Sequence, residues 1–229
     1  HAGTEGKQFR VNGGDWLDDS DNPVFNSPRA VEAMEFYAKM ARQYGPPGAS
    51  TISWKEVIGA IAQGKAAMSL DVSIFATLVL ENPKRSKVVG KLGYARLPSG
   101  PSNQEYQDVL PLNITHISAF SKKKEASWLF VQYISMKKNV MRYKMAGLPV
   151  TRLSAWQHPK WKAKDRLPEL SALQLNAMKS GRIGFEIQIA QFSEARPVIA
   201  RALYSIYDGE SAKKAADKAV KEVKRIMEQ

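Results

Sequence analysis

The chain has 229 residues, of which 44% are hydrophobic, and its 34 basic and 22 acidic residues give a net charge of +12. That length can bury a sizeable core, and no apolar run approaches the ~20 residues that a transmembrane helix needs. The absence of cysteine excludes disulfides, thiolate metal sites and a cysteine nucleophile. The basic residues are spread over many segments, so solvated helix faces are favoured over a nucleic-acid site.

Two helices are predicted in the first quarter of the chain. One begins at Ser27-Pro28, and Gly45-Pro46-Pro47 ends it because proline cannot continue the backbone hydrogen bonds. The pair Ser53 and Glu56 forms a capping box, in which each residue can satisfy a free N–H group of the other. The helix that this box opens is expected to end at Gly64.

Three segments have the apolar pattern of buried strands: 65–71, 91–97 and 114–120. The first follows a helix after a very short connection, which is typical of α/β architecture, and is expected to deliver Asp71 to a sheet edge. The segment 99–108 is rich in glycine, proline, serine and amide residues and is predicted to be a loop or crossing segment.

The segment after these strands is predicted to form two helices. Ser121 is expected to cap the first, whose apolar residues recur on one face at Ala126, Leu129, Phe130 and Tyr133. The second is expected to end at Gly147. An extended Leu148-Pro149-Val150 follows, since a residue before proline avoids the helical region.

The last third of the chain is predicted to be helical. Pro168 and Gly181 bound one helix, and a longer helix runs from about residue 190 to Tyr207. Pro197 lies inside that longer helix, which predicts a kink or a late start. Ser211 caps a final amphipathic helix that turns alanines and valines inward.

Five short patterns along the chain occur in a characteristic order. They are Gly13-Gly14 with Trp16 and Asp18-Asp19 before Asn26-Ser27-Pro28; Gly64-Lys65-Ala66-Ala67-Met68; the run 117–130; Gly147-Leu148-Pro149-Val150-Thr151-Arg152; and Gly209-Glu210-Ser211. Together they resemble the extracellular solute-binding proteins of sugar ABC importers, the group that includes maltose-binding protein. The resemblance spans residues 13 to 228.

The resemblance implies an α/β fold of the periplasmic-binding-protein type II kind, with two lobes that hold the ligand between them. The chain is interpreted as mainly the helix-rich C-terminal lobe, formed by 1–93 and 149–229. Residues 98–147 are expected to be an excursion belonging to the N-terminal lobe, most of which is absent. As a hypothesis, this excursion lacks its sheet partners and self-association with a second copy of the truncated chain replaces them.

The resemblance also implies a function: non-catalytic binding of a solute, most simply a sugar, for import through an ABC transporter permease. No cofactor and no nucleic-acid partner is expected. The location is expected to be periplasmic or extracellular, with a lipoprotein tether as one form, and the signal segment outside this chain. A basic nucleic-acid-binding module, and a binding protein for an anionic solute such as a sugar acid or phosphosugar, stay open as alternatives.

The candidate ligand-binding residues combine an aromatic ring with planar polar groups, the two devices by which proteins grip sugars. Trp16 follows a Gly-Gly turn, which suits either a cleft rim or the core. By the resemblance, Asp71 and Ser73 lie where the family's ligand loop lies, although Asp71 also fits a helix N-cap. Asn113 precedes a predicted strand and equally fits a turn.

Three further candidates are implied by the resemblance. Arg152 matches the family's arginine after the second crossing, with a hinge ion pair as the alternative. Glu194 and Arg196 lie where the family has residues near the pocket, and at most one of them is expected to point inward. By the resemblance, maltose-binding proteins carry aromatic residues there and near Ile74 that are not matched here, which favours a solute that is smaller than maltodextrin or different from it.

Enzyme classes receive no support from the sequence. The three histidines, His1, His116 and His158, have no spacing suited to metal ligation. The adjacent Asp18 and Asp19 point apart rather than across a glycosidic bond. A carbohydrate-active enzyme is therefore disfavoured.

Overall fold

Helices make up about half of the residues that the computed structural model describes, which are 12–49, 52–70, 73–98, 108–110, 113–183 and 186–229. Nine α-helices lie in those ranges: α1 (Pro28–Tyr44), α2 (Trp54–Ala62), α3 (Lys124–Ser135), α4 (Lys137–Met145), α5 (Leu153–Trp156), α6 (Pro159–Lys162), α7 (Pro168–Ser180), α8 (Phe192–Tyr207) and α9 (Ala212–Met227). A π-helical turn covers Ala76–Leu80. The strands β1 (Val109–Leu110) and β2 (Arg182–Ile183) pair in parallel.

The described residues fall into two compact units. Unit 1 takes its residues from 1–57, 96–111 and 180–229, and unit 2 takes its residues from 58–95 and 112–179. The lobe boundaries implied by the resemblance differ from these. Since those lobes are defined for a longer protein, their assignment to this chain stays a prediction.

The packing of α1, α8 and α9 forms the core of unit 1. The buried residues of these helices are mostly small, and small side chains let helix axes approach closely. They are Ala30, Ala33, Met34 and Ala38 on α1, Ala195, Val198, Ile199 and Ile206 on α8, and Ala212, Ala215, Ala216, Ala219, Val220 and Val223 on α9. The inward alanines and valines predicted for the last helix are confirmed.

Polar contacts fix how these three helices meet. The Asn26 side-chain amide donates a 2.7 Å hydrogen bond to the Asp217 carboxylate, which ties the start of α1 to α9. The Arg42 guanidinium lies 3.4 Å from each of two carbonyl oxygens at the C-terminal end of α8. A cation is favourable there because the last carbonyls of a helix carry partial negative charge.

Unit 2 contains two smaller apolar clusters. One joins α2 to the π-helical turn and consists of Ile58, Ile61, Ala62 and Leu80, with Phe75, Val79 and Leu92 packed against it. The other centres on Val150, Ala155 and Trp156, with residues of α4 and α7 around it. The Trp156 indole N–H donates a 2.7 Å hydrogen bond to the Val150 carbonyl, so this ring is both packed and satisfied.

A buried lysine lies beside the second cluster. Lys144 is 1% exposed, and its Nζ lies 3.0 Å from the ring centroid of Trp156 and 4.1 Å from that of Trp161. The ring faces attract the ammonium group electrostatically. Burial nevertheless lowers the pKa of Lys144 from 10.5 to about 8, while the charge of Asp165 acts in the opposite direction.

The predicted helices are confirmed where capping residues mark them. The Ser53 backbone N–H donates a 2.9 Å hydrogen bond to the Glu56 carboxylate, and α2 begins at Trp54, directly after Ser53. The Ser211 hydroxyl accepts the N–H of Lys214 at 3.4 Å at the start of α9. Pro168 begins α7 as expected.

Two predicted caps need correction. Ser27 occupies the N-cap position of α1, but its side chain makes no capping hydrogen bond. Ser121 does not cap α3, whose N-cap is Lys123; the Ser121 hydroxyl instead accepts the Lys123 N–H at 3.2 Å.

Pro197 lies inside α8, which begins at Phe192.

The three predicted strands are wrong over the residues that the structure describes. Segments 65–70, 91–97 and 114–120 form no strand there, and Met68 and Ile114 are exposed. A strand exists only through hydrogen bonds to a neighbouring strand. Among the described residues, the one ladder is that of β1 with β2, which pairs none of these segments. Asp71 and 99–107 lie outside the described residues.

The lowered pKa of Lys144 predicts a specific pH dependence of stability. Between pH 8 and 10.5 the unfolded chain holds a proton on this lysine that the folded chain has lost, so the free energy of unfolding rises with pH. Below pH 8 this gain is absent. Replacing Lys144 by Met should remove the rise, as measured by urea unfolding from about pH 7.5 to 10.

Lys138→Met is the matched control, because Lys138 lies on the same helix and is exposed. It should keep the pH dependence of the original chain. Identical slopes for the original chain and Lys144→Met would contradict the assignment.

Candidate functional site

A shallow depression on unit 1 collects two of the residues singled out in the sequence. It encloses about 220 Å³ of space that is open to solvent. Its lining consists of four apolar side chains and two charged ones: Trp16, Ile187, Phe192, Ile199, Glu186 and Arg196. The surface exposed inside the depression is entirely apolar, and the charged groups of Glu186 and Arg196 form a rim that contributes no polar surface to it.

A turn before Trp16 and an isolated antiparallel bridge after it, between Leu17 and Pro23, form the hairpin that positions the indole ring. Gly13 has a positive φ of 80°, which a side chain would strain. The backbone N–H of Trp16 donates a 2.8 Å hydrogen bond to the Asp15 carboxylate, and the backbone carbonyl of Trp16 accepts the Val24 N–H at 2.9 Å. The ring meets Phe25 edge to face, with centroids 5.6 Å apart. Trp16 is 3% exposed, so it belongs to the core and also floors the depression.

Asp18 closes the hairpin that carries Trp16. One of its carboxylate oxygens accepts the backbone N–H groups of Ser20 and Asn22 at 3.0 and 2.8 Å. These hydrogen bonds lower the pKa of the Asp18 carboxyl below its usual value, and the bond from the Asn22 backbone has the largest effect. The contacts assign Asp18 a structural role.

The rim of the depression is an ion pair. Arg196 Nε lies 3.4 Å from Glu186 Oε1, and the Arg196 side chain is 59% exposed. Both groups are planar and carry more than one hydrogen-bonding atom, and this polar surface lies outside the depression itself. The guanidinium can donate to hydroxyl oxygens and the carboxylate can accept hydroxyl protons, while the apolar floor can cover C–H groups.

The depression is smaller than a complete small-molecule pocket. Pockets that bury most of a ligand typically enclose roughly 300–1,000 Å³, whereas the space inside this depression that a water-sized molecule can occupy is only about 10 Å³, room for about one water. The depression cannot enclose a solute by itself.

The predicted site residues of unit 1 divide into two groups. Trp16 and Arg196 line the same depression, whereas Glu194 is exposed on the first turn of α8 and is absent from its lining. The sequence reasoning missed Glu186 and Phe192. Nothing in the local pattern of Glu186 marks it, because its place at the depression comes from the contact with Arg196, ten residues further along the chain.

The predicted site residues of unit 2 make other contacts. The Ser73 hydroxyl accepts a 2.9 Å hydrogen bond from the amide of Gln174, which is buried. The Arg152 guanidinium donates a 3.1 Å bond to the main-chain carbonyl of Ser135. Asn113 is exposed, and Asp71 lies outside the described residues. Their role in binding stays a prediction.

Neither metal binding nor a membrane span emerges from the described part of the chain. It contains no group of three or more His, Asp or Glu side chains that could hold a metal ion. The ring of His158 instead accepts the Lys160 N–H at 3.1 Å and caps α6. None of its helices is long and apolar enough to cross a membrane.

Comparison with known proteins identifies the family. Residues 4–141, more than half of the chain, match the family described as bacterial extracellular solute-binding protein. The chain belongs to this family. The resemblance drawn from the five sequence patterns is thereby confirmed.

Two curated relatives are solute-binding proteins of bacteria. An erythritol/L-threitol-binding protein of Mycolicibacterium smegmatis is 27% identical over 217 residues, which is 93% of this chain and 45% of that protein. A probable amino-acid ABC transporter periplasmic-binding protein of Sinorhizobium fredii is 27% identical over 169 residues, 72% of this chain and 37% of that protein. The chain thus spans less than half the length of either relative.

A solved structure has the same fold. It is an ABC transporter solute-binding protein of Agrobacterium radiobacter in complex with ribitol, 25% identical, with a TM-score of 0.76 over 98% of this chain and 56% of the other. The predicted α/β, type II periplasmic-binding-protein-like fold class is confirmed, and the present chain supplies a helix-rich part of it.

The geometry predicts different consequences for the two site residues in unit 1. Trp16→Ala should lower the free energy of unfolding by about 3–5 kcal/mol, because it removes a buried ring from the core. Arg196→Gln should change it by less than about 0.5 kcal/mol, because the side chain is exposed. Urea unfolding measures both values, and a Trp16→Ala variant as stable as the original chain would contradict the burial.

Proposed function

We propose that this chain contributes one wall of the binding site of a solute-binding protein that captures a small neutral polyol or sugar for an ABC importer. The observation that carries the proposal is the apolar floor at Trp16 under the Arg196–Glu186 rim. A polyol has the matching chemistry, with C–H groups on one side and hydroxyls on the other. The partners would be the solute and an ABC transporter permease.

The charge balance of the rim favours a neutral solute. Arg196 alone would attract an anion, but Glu186 lies 3.4 Å away and offsets its charge. A sugar acid or phosphosugar would bring its negative charge close to that carboxylate. A hydroxyl group, by contrast, accepts from the guanidinium and donates to the carboxylate. The surplus of +12 belongs to the whole chain and does not describe this depression.

The relatives support the polyol class. One is named for erythritol and L-threitol, and the structural neighbour was solved with ribitol. Both are small polyols, of four and five carbons.

An amino acid is the second candidate. The Sinorhizobium fredii relative is named as a probable amino-acid-binding protein. The paired charges of the rim suit a zwitterion, since Arg196 can bind an α-carboxylate and Glu186 an α-ammonium group. An amino acid would bind through its two charges, whereas a polyol would bind through neutral hydroxyl groups.

The proposed role is binding without catalysis, in the periplasm or outside the cell, with or without a lipid tether. Family membership supports it, and the acidic group at the depression is engaged by Arg196 rather than set opposite a second carboxylate. Transport would require ligand contacts from a second wall. A ligand that binds the open and closed states equally does not shift the equilibrium between them. One wall alone should bind weakly.

The proposal predicts weak but selective binding by this chain. Erythritol and ribitol should bind with a dissociation constant in the roughly millimolar range, or about −4 kcal/mol. Ligand-observed NMR is suited to this range. Arg196→Gln and Glu186→Gln should each weaken binding, because each removes one partner of the hydroxyl groups. Arg201→Gln is the matched control, since Arg201 is exposed on the same helix and pairs with Glu222.

The same titration separates the alternatives. Binding of a zwitterionic amino acid but of no polyol would assign the second candidate. Preference for the sugar acid ribonate would overturn the neutral class. Nanomolar binding of any of them would contradict the single-wall geometry.

A further inference from the structure

The outward face of α9 carries a row of positive charges. Lys214, Lys218, Lys221 and Arg225 are exposed and follow one another at intervals of four, three and four residues. Residues at these spacings lie above one another on one side of an α-helix. The opposite side of α9 is buried in the core of unit 1. These four residues therefore form one cationic stripe that points away from the core.

The stripe is long and is held on a well-packed helix. Its first and last residues are eleven positions apart, which is about 16 Å along the helix axis. Like charges three and four positions apart repel one another and lower the stability of a helix. The buried alanines and valines of α9 hold the helix together against that repulsion. An anionic surface that lies against the stripe would offset the repulsion.

The acidic side chains beside the stripe are already paired. The pairs are Asp217 with Lys213, Glu222 with Arg201 at 3.0 Å, and Glu210 with Lys218 at 2.8 Å. Lys218 thus shares its charge with Glu210. Among the described residues, no ion pair engages Lys214, Lys221 or Arg225, and Glu228 follows the last of them at the C-cap of α9. The charges of these three residues are available to an external anion.

The composition of this face restricts the class of partner. From 213 to 225, every side chain of α9 that is not buried is charged. Protein partners are usually bound through aromatic or other apolar side chains at the centre of an interface, and single-stranded nucleic acids through stacked aromatic rings. This face of α9 offers neither. It fits an extended anionic surface that attracts charge without a specific shape.

We propose that the cationic stripe of α9 adsorbs on a membrane surface that contains anionic phospholipids. Membranes present their headgroups to extracellular proteins such as the members of this family, whereas genomic nucleic acid lies inside the cell. Each lysine or arginine near such a surface raises partitioning by about fivefold, and the attraction fades within a Debye length. Because the apolar side of α9 is buried in the core, the helix does not insert into the acyl chains.

Adsorption would concentrate the chain at the membrane that contains the importer permease of the proposed function. The stripe and the depression are separate features, since none of the residues that line the depression belongs to α9. The adsorption therefore does not depend on which solute is bound. Vesicle binding and solute binding can succeed or fail independently.

Vesicle flotation tests the proposal without any solute. We expect the chain to float with vesicles of phosphatidylcholine and phosphatidylglycerol but not with vesicles of phosphatidylcholine alone. Binding should weaken when salt is raised from about 0.01 M to about 0.15 M, because the Debye length falls from about 30 Å to about 8 Å. Lys221→Gln combined with Arg225→Gln should reduce the partition coefficient roughly twentyfold, about fivefold for each cation.

Arg29→Gln combined with Lys39→Gln is the matched control, since both residues are exposed on α1 and their replacement lowers the net charge equally. This variant should bind the anionic vesicles like the original chain. Circular dichroism checks that both double variants fold like the original chain. Three results would overturn the proposal: no binding at low salt, equal losses for the two double variants, or tighter binding to a DNA duplex than to the anionic vesicles.

Discussion

The close packing of α1, α8 and α9 is the constraint on which the candidate site depends. Ala30, Ala195 and Ala216 are completely buried at this contact, and larger side chains there would push the helices apart. The packing sets the position of α8, and with it the position of Arg196. The same core receives the ring of Trp16 from the hairpin, so the floor and the rim of the depression are fixed by one set of apolar contacts.

Unit 2 is stabilised differently. Its apolar clusters are small, one of them surrounds a buried lysine, and the face of α3 is left exposed. A buried ammonium group loses its hydration, which the two indole rings replace only in part. A unit of this kind gains stability whenever further apolar surface is covered.

The sequence predicted local features well and tertiary ones poorly. Glu56 and Ser211 marked helix starts because capping is a contact within one turn. The strand at 114–120 failed because a strand depends on a neighbour that composition cannot supply. The burial of Lys144 was not predicted, because the same segment contains other lysines that are exposed. Trp16 was proposed from its place after a Gly-Gly turn and Arg196 from the family resemblance, and their role in binding stays a prediction. Glu186 was missed because its contact with Arg196, ten residues further along the chain, has no signature in the sequence.

The proposed function depends on one claim, that solute contacts the depression over Trp16. The most direct measurement is a ¹H–¹⁵N spectrum of the five tryptophan indole groups during a ribitol titration. The account predicts that the Trp16 indole signal moves with added ribitol, while the signals of Trp156 and Trp161, which surround Lys144, stay in place. A shift confined to Trp156 or Trp161, or no shift at saturating ribitol, would contradict it.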